Sequence, residues 1–297
     1  MLLFVTRSPW PLLISIGLTI AIGIGSFATR DDRAAPIPSA SAPENVSGPA
    51  YVAIGDSFTA GGDIAELQPG TGNCLRSTRN YPSLVARKLG YVLTDVSCFG
   101  ATTGDVRNGD DGLPAQVAAL NAKTELVTVS IGGNDFGIYT SLMLTCMRTS
   151  KPTDRGAPCR TALASKLTGQ TGSIASRVGQ VLDEVQKRAP KAKVLVVTYT
   201  RLMPTDDTCS AIPFSRPDVA WFASIEETLS TAMTKAARNR NLPVVDMHDL
   251  SRGHDVCSGA EAWVNGPRPK DRDGILFHPN GAGERAVAAA VESAVRS

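Results

Sequence analysis

The sequence predicts an α/β protein: a three-layer α/β/α sandwich around a central parallel sheet of five strands. Three observations lead there. From Ala50 onward, short β-type apolar runs alternate with stretches of helical period. The runs are mostly apolar throughout, as strands covered on both faces of a parallel sheet are. No internal repeat interrupts the alternation, and strands alternating with helices stack as three layers.

In chain order, the first 28 residues carry one basic residue, Arg7, and no acidic one. Trp10 to Ala28 is an almost uninterrupted apolar run ending in Ser26-Phe27-Ala28, a small-x-small cleavage pattern. Residues 1–28 are therefore read as a signal peptide or, if uncleaved, an N-terminal membrane anchor, because about 20 apolar residues span a bilayer. No cysteine follows the run to carry a lipid. Residues 29–49 are Ala, Pro, Ser and charge without periodicity, which predicts a disordered linker. The folded domain is assigned to 50–297. Its strands are expected at Tyr51 to Gly55, Tyr91 to Ser97, Leu126 to Ile131, Val194 to Thr198 and Val244 to Met247. Its helices are expected at Tyr81 to Leu89, Ser173 to Arg188, Phe222 to Asn239 and Ala282 to Val295. Leu142 to Leu167, with two cysteines, reads as an insertion or loop excursion.

Composition narrows the function. Thirty Lys and Arg against 28 Asp and Glu leave a net charge of +2 without clustering, which excludes the basic surface that nucleic acid or anionic lipid requires. With 42% hydrophobic and 20% charged residues, the chain is neither disordered nor a multi-pass membrane protein. The six cysteines form no C-x-x-C and no Cys/His metal spacing; an even, scattered set suggests three loop staples and an oxidising compartment. The spacing alone leaves fifteen pairings open.

In open parallel sheets, reactive groups gather beyond the carboxyl ends of the strands. After the first strand stands Gly55-Asp56-Ser57, after the second Cys98-Phe99-Gly100-Ala101-Thr102, after the third Gly132-Gly133-Asn134-Asp135, and before the last helix His278-Pro279-Asn280-Gly281. Acyl transfer needs such a set. A serine hydroxyl is a weak nucleophile until an imidazole takes its proton, which casts Ser57 as nucleophile and His278 as base. The oxyanion of the tetrahedral intermediate needs donors fixed in advance, here the N–H groups of Ser57 and Gly100 and the Asn134 amide. A carboxylate cannot donate, so Asn134 and not Asp135 fills that role.

These four blocks resemble the SGNH (GDSL) hydrolase family over Ala50 to the C-terminus. Asn73-Cys74-Leu75-Arg76-Ser77, Gly253-His254-Asp255-Val256-Cys257 and Trp263-Val264-Asn265-Gly266 are similar to secreted actinobacterial lipases and esterases of that family. The resemblance implies a flavodoxin-like sandwich, the roles given above, no metal or cofactor, and hydrolysis of carboxylic esters. It also implies disulfides Cys74 to Cys98, Cys146 to Cys159 and Cys209 to Cys257. One position departs: the family's usual Asp three residues before the histidine is Ile275 here. A Ser-His dyad with the Ile275 carbonyl orienting the ring is the expectation, and Asp273 is the alternative.

The remaining histidines, His248 and His254, each neighbour an Asp, yet their spacing of six matches no usual metal-ligand pattern. They are read as structural. Trp221, Phe222 and Trp263 are candidates for an acyl pocket, although aromatic residues more often fill a core. The expected protein is a monomeric, secreted or envelope-bound serine carboxylesterase or lipase acting on lipid or other acyl esters. Within the enzyme class the alternative is an O-acetyl esterase or acyltransferase of polysaccharide or cell wall. Outside it, the alternative is a catalytically silent envelope binding protein.

Overall fold

The computed structural model describes residues 47–110, 112–205 and 207–297, so the assignments for 1–28 and nearly all of 29–49 lie outside the described residues. Five parallel strands, β1 (Ala50–Gly55), β2 (Val92–Asp95), β3 (Thr124–Ser130), β4 (Lys193–Val197) and β5 (Val244–Val245), form one sheet in the order β2-β1-β3-β4-β5. Alternation along the strands separates two cores. Val52, Ile54, Val127, Val129, Val194 and Val196 face one side; Tyr51, Ala53, Leu126, Leu195 and Val197 face the other.

The helices are α1 (Ser57–Ala60), α2 (Tyr81–Leu89), α3 (Thr103–Asn108), α4 (Ile138–Thr149), α5 (Pro158–Thr171), α6 (Ile174–Arg188), α7 (Arg216–Arg238), α8 (Met247–Leu250) and α9 (Gly281–Arg296). Helices α3 to α7 supply the first core, and α2 and α9 the second. The second layer is locked by Glu284 of α9, whose carboxylate accepts the Tyr81 N–H at the start of α2 at 2.6 Å. The architecture is the expected three-layer sandwich.

Three expectations change. Leu142 to Leu167 is not a loop excursion but most of a helical hairpin, α4 and α5, closed by the Cys146–Cys159 disulfide. The Asp218 carboxylate in α7 accepts the Cys159 and Arg160 N–H groups at 3.1 and 2.9 Å, satisfying donors at the start of α5. Helix α7 begins six residues before Phe222, because Ser215 caps it through the Asp218 N–H and Pro217 occupies its first turn. The edge strand β2 is shorter than Tyr91 to Ser97 and partly exposed rather than buried on both faces.

Candidate active site

Ser57 is the first residue of α1, immediately beyond the carboxyl end of β1. Asp56 caps that turn by accepting the Phe58 N–H at 3.0 Å. Gly55 is needed here: a Cβ would run into the Thr59 side chain and approach the Ser130 carbonyl to 3.0 Å. The Gln116 amide braces the same point, accepting the Gly55 N–H and donating to the Gly55 carbonyl, both at 2.9 Å.

Ser57 Oγ and His278 Nε2 are 2.8 Å apart. His278 Nδ1 lies 2.8 Å from the Leu276 carbonyl, so the ring is oriented by neither group expected from the sequence. The Ile275 carbonyl instead accepts Asn265 Nδ2 at 3.3 Å, and Asp273 Oδ1 accepts the Gly281 N–H at 2.9 Å, at the start of α9. The reason is local. Phe277 has φ 52°, unusual for a bulky residue, and is held there by complete burial against Phe214. That turn folds the Leu276 carbonyl back onto the histidine two residues later. Asn265, in the Trp-Val-Asn-Gly segment, secures the loop: its N–H donates to the His278 carbonyl at 2.9 Å and its amide to the Asp273 carbonyl at 2.7 Å.

Burial pushes His278 down to about 4, with the Leu276 carbonyl opposing the shift. The imidazole is therefore neutral at neutral pH and free to accept a proton. Asp273→Ala is expected to lower kcat less than tenfold. It removes a carboxylate from a helix start, so it should cost about 1 kcal/mol, measured as a fall of a few degrees in Tm.

Ser57, Gly100, Asn134 and His278 line one hollow, together with Phe58, Phe99, Tyr139 and Phe277. Gly100 has φ 79°, a conformation that L side chains rarely adopt. The Asn134 amide donates one N–H to the Ala101 carbonyl at 3.2 Å. An amide has a second N–H to offer a ligand.

Two braces tie the three loops together. Tyr199, two residues past β4, donates to Asp56 Oδ2 at 2.6 Å and accepts the Gly133 N–H at 2.9 Å, joining the Ser57 turn to the Asn134 turn. Asp135 accepts the Thr103 N–H on Oδ1 at 2.8 Å and the Thr103 hydroxyl on Oδ2 at 2.6 Å, joining the Asn134 turn to the Gly100 loop; Arg177 approaches the same Oδ2 at 3.5 Å. Burial pushes Asp56 up to about 7, against the Tyr199 hydroxyl and Phe58 N–H that favour the carboxylate. Gly133 cannot carry a side chain, because a Cβ would enter the Tyr139 ring.

Sequence reasoning did not find Tyr199, Gln116 or Asn265 in these positions. Tyr199 was within reach, since it stands just beyond a strand's carboxyl end.

The other histidines lie outside the hollow. His254 stacks on Trp263 with ring centroids 3.9 Å apart and places Nδ1 2.6 Å from the Glu261 carbonyl. His248 is buried, with Nε2 3.8 Å from Glu227. Phe222 is fully buried against Phe214, and neither Trp221 nor Trp263 lines the hollow, so these aromatics serve packing. Cys74 pairs with Cys98 and Cys209 with Cys257, alongside the hairpin disulfide. Among the described residues, no group of His, Cys, Asp and Glu is arranged to hold a metal.

Residues 53–286 match the model of the GDSL-like lipase/acylhydrolase family. The chain is 32% identical over 245 residues to Lipase 2 of Streptomyces coelicolor, covering 80% of this chain and 83% of that one. Its fold is similar to the crystal structure of an extracellular lipase from Streptomyces rimosus, with TM-score 0.70, 27% identity, and 83% of this chain and 100% of that one covered. It is similar also to phospholipase A1 from Streptomyces albidoflavus NA297, with TM-score 0.69, 27% identity, and coverage of 83% and 99%.

Proposed function

The chain belongs to the GDSL-like lipase/acylhydrolase family and is a carboxylic ester hydrolase, and from that premise we propose that it works outside the cytoplasm through a Ser57–His278 acyl-enzyme mechanism. The observation that carries the mechanism is the 2.8 Å contact between Ser57 Oγ and a neutral His278 Nε2.

Ser57 Oγ attacks the ester carbonyl carbon while Nε2 takes the hydroxyl proton. The carbonyl oxygen becomes an oxyanion facing the Ser57 and Gly100 N–H groups and the Asn134 amide. The carbon to alcohol-oxygen bond then breaks, His278 returns the proton to the departing alcohol, and an acyl-enzyme remains. Water repeats the sequence, with His278 first base and then acid, to release the carboxylic acid and restore Ser57. Imidazolium forms transiently without a carboxylate beside Nδ1; the Leu276 carbonyl fixes the tautomer and its dipole supports the charge.

Export is supported by the apolar N-terminal run, by three disulfides and by the similarity to an extracellular lipase. Residues 1–28 are assigned to export or anchoring and 50–297 to the hydrolase domain. Among the described residues, no helix is long and apolar enough to cross a membrane.

A fluorophosphonate probe tests the mechanism. It should phosphonylate the wild-type protein once, on the peptide containing Ser57, and leave Ser57→Ala unlabelled. Labelling that persists in Ser57→Ala would remove Ser57 from the role, and an unreactive, folded wild type would favour a silent binding protein.

The acid limb of the pH profile tests the base. Protonated His278 cannot accept from Ser57, so kcat/KM is present above the His278 pKa and lost below it. Because burial lowers that pKa to about 4, kcat/KM for p-nitrophenyl acetate should stay level from neutrality well past the ordinary histidine range, falling only as the pH nears 4. Product quantified by chromatography, with recovery at pH 7 as the check on folding, gives this profile. A half-point near 6.5 would mean that the ring is solvated in the working enzyme.

A further inference from the structure

The hollow at Ser57 is small, about 60 Å³, with room for the reacting carbon and little more. Phe99 and Gly100 also line a second cavity of about 630 Å³, within the size range of sites that engulf small ligands. We propose, resting on the hydrolase reading above, that this cavity receives the aliphatic acyl chain of the substrate. The enzyme would then be a hydrolase of medium- and long-chain acyl esters rather than a deacetylase.

Three observations favour this occupant. The walls are largely apolar and made roomy by small residues: Ala101, Ala115 and Ala119 stand with Val96 and the Cys74–Cys98 disulfide. An alkyl chain gains from such a lining, whereas an acetyl group would leave it empty. Of the charged groups on the lining, Arg76 turns one Nη away to donate to the Ser97 carbonyl at 2.8 Å, Asp105 accepts the Thr102 N–H and hydroxyl, both at 2.8 Å, and Asp110 is exposed.

The second observation gives direction. Gly100, a proposed oxyanion donor, lines the cavity, and His278 does not. The leaving alcohol must face His278 Nε2 to receive its proton, so the substituent that turns toward Gly100 and the cavity is the acyl chain.

The third is that the cavity is held open. The wall containing Gln116 and Ala119 is fixed to the end of β1 by the Gln116 amide, and the floor near Gly100 by the disulfide. Phe99 and Leu113, 44% and 47% exposed, place apolar surface on the same lining, where a chain leaving water would first meet the protein.

The experiment compares kcat/KM for p-nitrophenyl acetate, butyrate and decanoate, and for decyl acetate, in wild type, Ala119→Phe and Ala115→Phe. In the wild type kcat/KM should rise with acyl length, by about fourfold for each methylene that is fully buried. Each phenylalanine should cut the decanoate value tenfold or more and leave acetate within twofold. That retained acetate turnover shows an intact fold and Ser57 site.

A wild type that prefers acetate overturns the proposal but leaves the hydrolase reading standing. So does a loss confined to decyl acetate, which would place the alcohol in the cavity. Equal losses on all esters, or no change in either variant, also overturn it. Turnover surviving in Ser57→Ala would instead strike the Ser57–His278 mechanism on which the direction of the acyl chain rests.

Discussion

His278→Ala should lower kcat for p-nitrophenyl butyrate by about 10⁴ to 10⁶-fold, with far-UV circular dichroism unchanged. Ser57→Ala should fall by a similar factor, and the double variant should be no worse than either single one. Nucleophile and base act as a unit, so removing one already forfeits what the other contributes. Some rate above that of water should survive, because the oxyanion donors and substrate binding remain. Steady-state kinetics on the three variants checks this. Additive losses would mean that the 2.8 Å contact between Ser57 and His278 is not how the hydroxyl is activated.

The second large effect concerns Asn134. Asn134→Ala should reduce kcat about 10² to 10³-fold with KM nearly constant, because the donor is most valuable once charge has developed on the carbonyl oxygen. Asn134→Asp should be at least as damaging despite its near-identical shape, since the carboxylate has no N–H to give and repels the oxyanion. The structural role through the Ala101 carbonyl is the competing explanation for any loss. The two are separated by the split between kcat and KM: a misplaced Gly100 loop would disturb both, and a missing donor chiefly kcat.

The sandwich was legible, and so were the four blocks that line the hollow, because each rests on local chemistry. Apolar runs report strands covered on both faces, and the Gly-Asp-Ser and Gly-Gly-Asn-Asp turns fall where parallel sheets collect reactive groups. The α4–α5 hairpin was harder to see because its cysteines and scattered polar residues blur the helical period, and its support comes from Asp218, far along the chain. The His278 orienter could not be read at all. Which carbonyl meets Nδ1 depends on the positive φ of Phe277, which depends in turn on packing against Phe214. Tyr199 and Asn265 were missed for a related reason: their work is done by hydrogen bonds to residues 143 and 13 positions away that spacing does not reveal.

Ser57 and His278 are 221 residues apart along the chain. On the proposed mechanism, the nucleophile emerges during synthesis long before its base, and the chain should turn over no ester until its last loop has docked on a sheet started by its first strand. Catalytic activity is consequently a report on completion. It should be among the last native properties to appear on folding, and opening of the His278 loop with α9 should abolish it while most of the secondary structure persists.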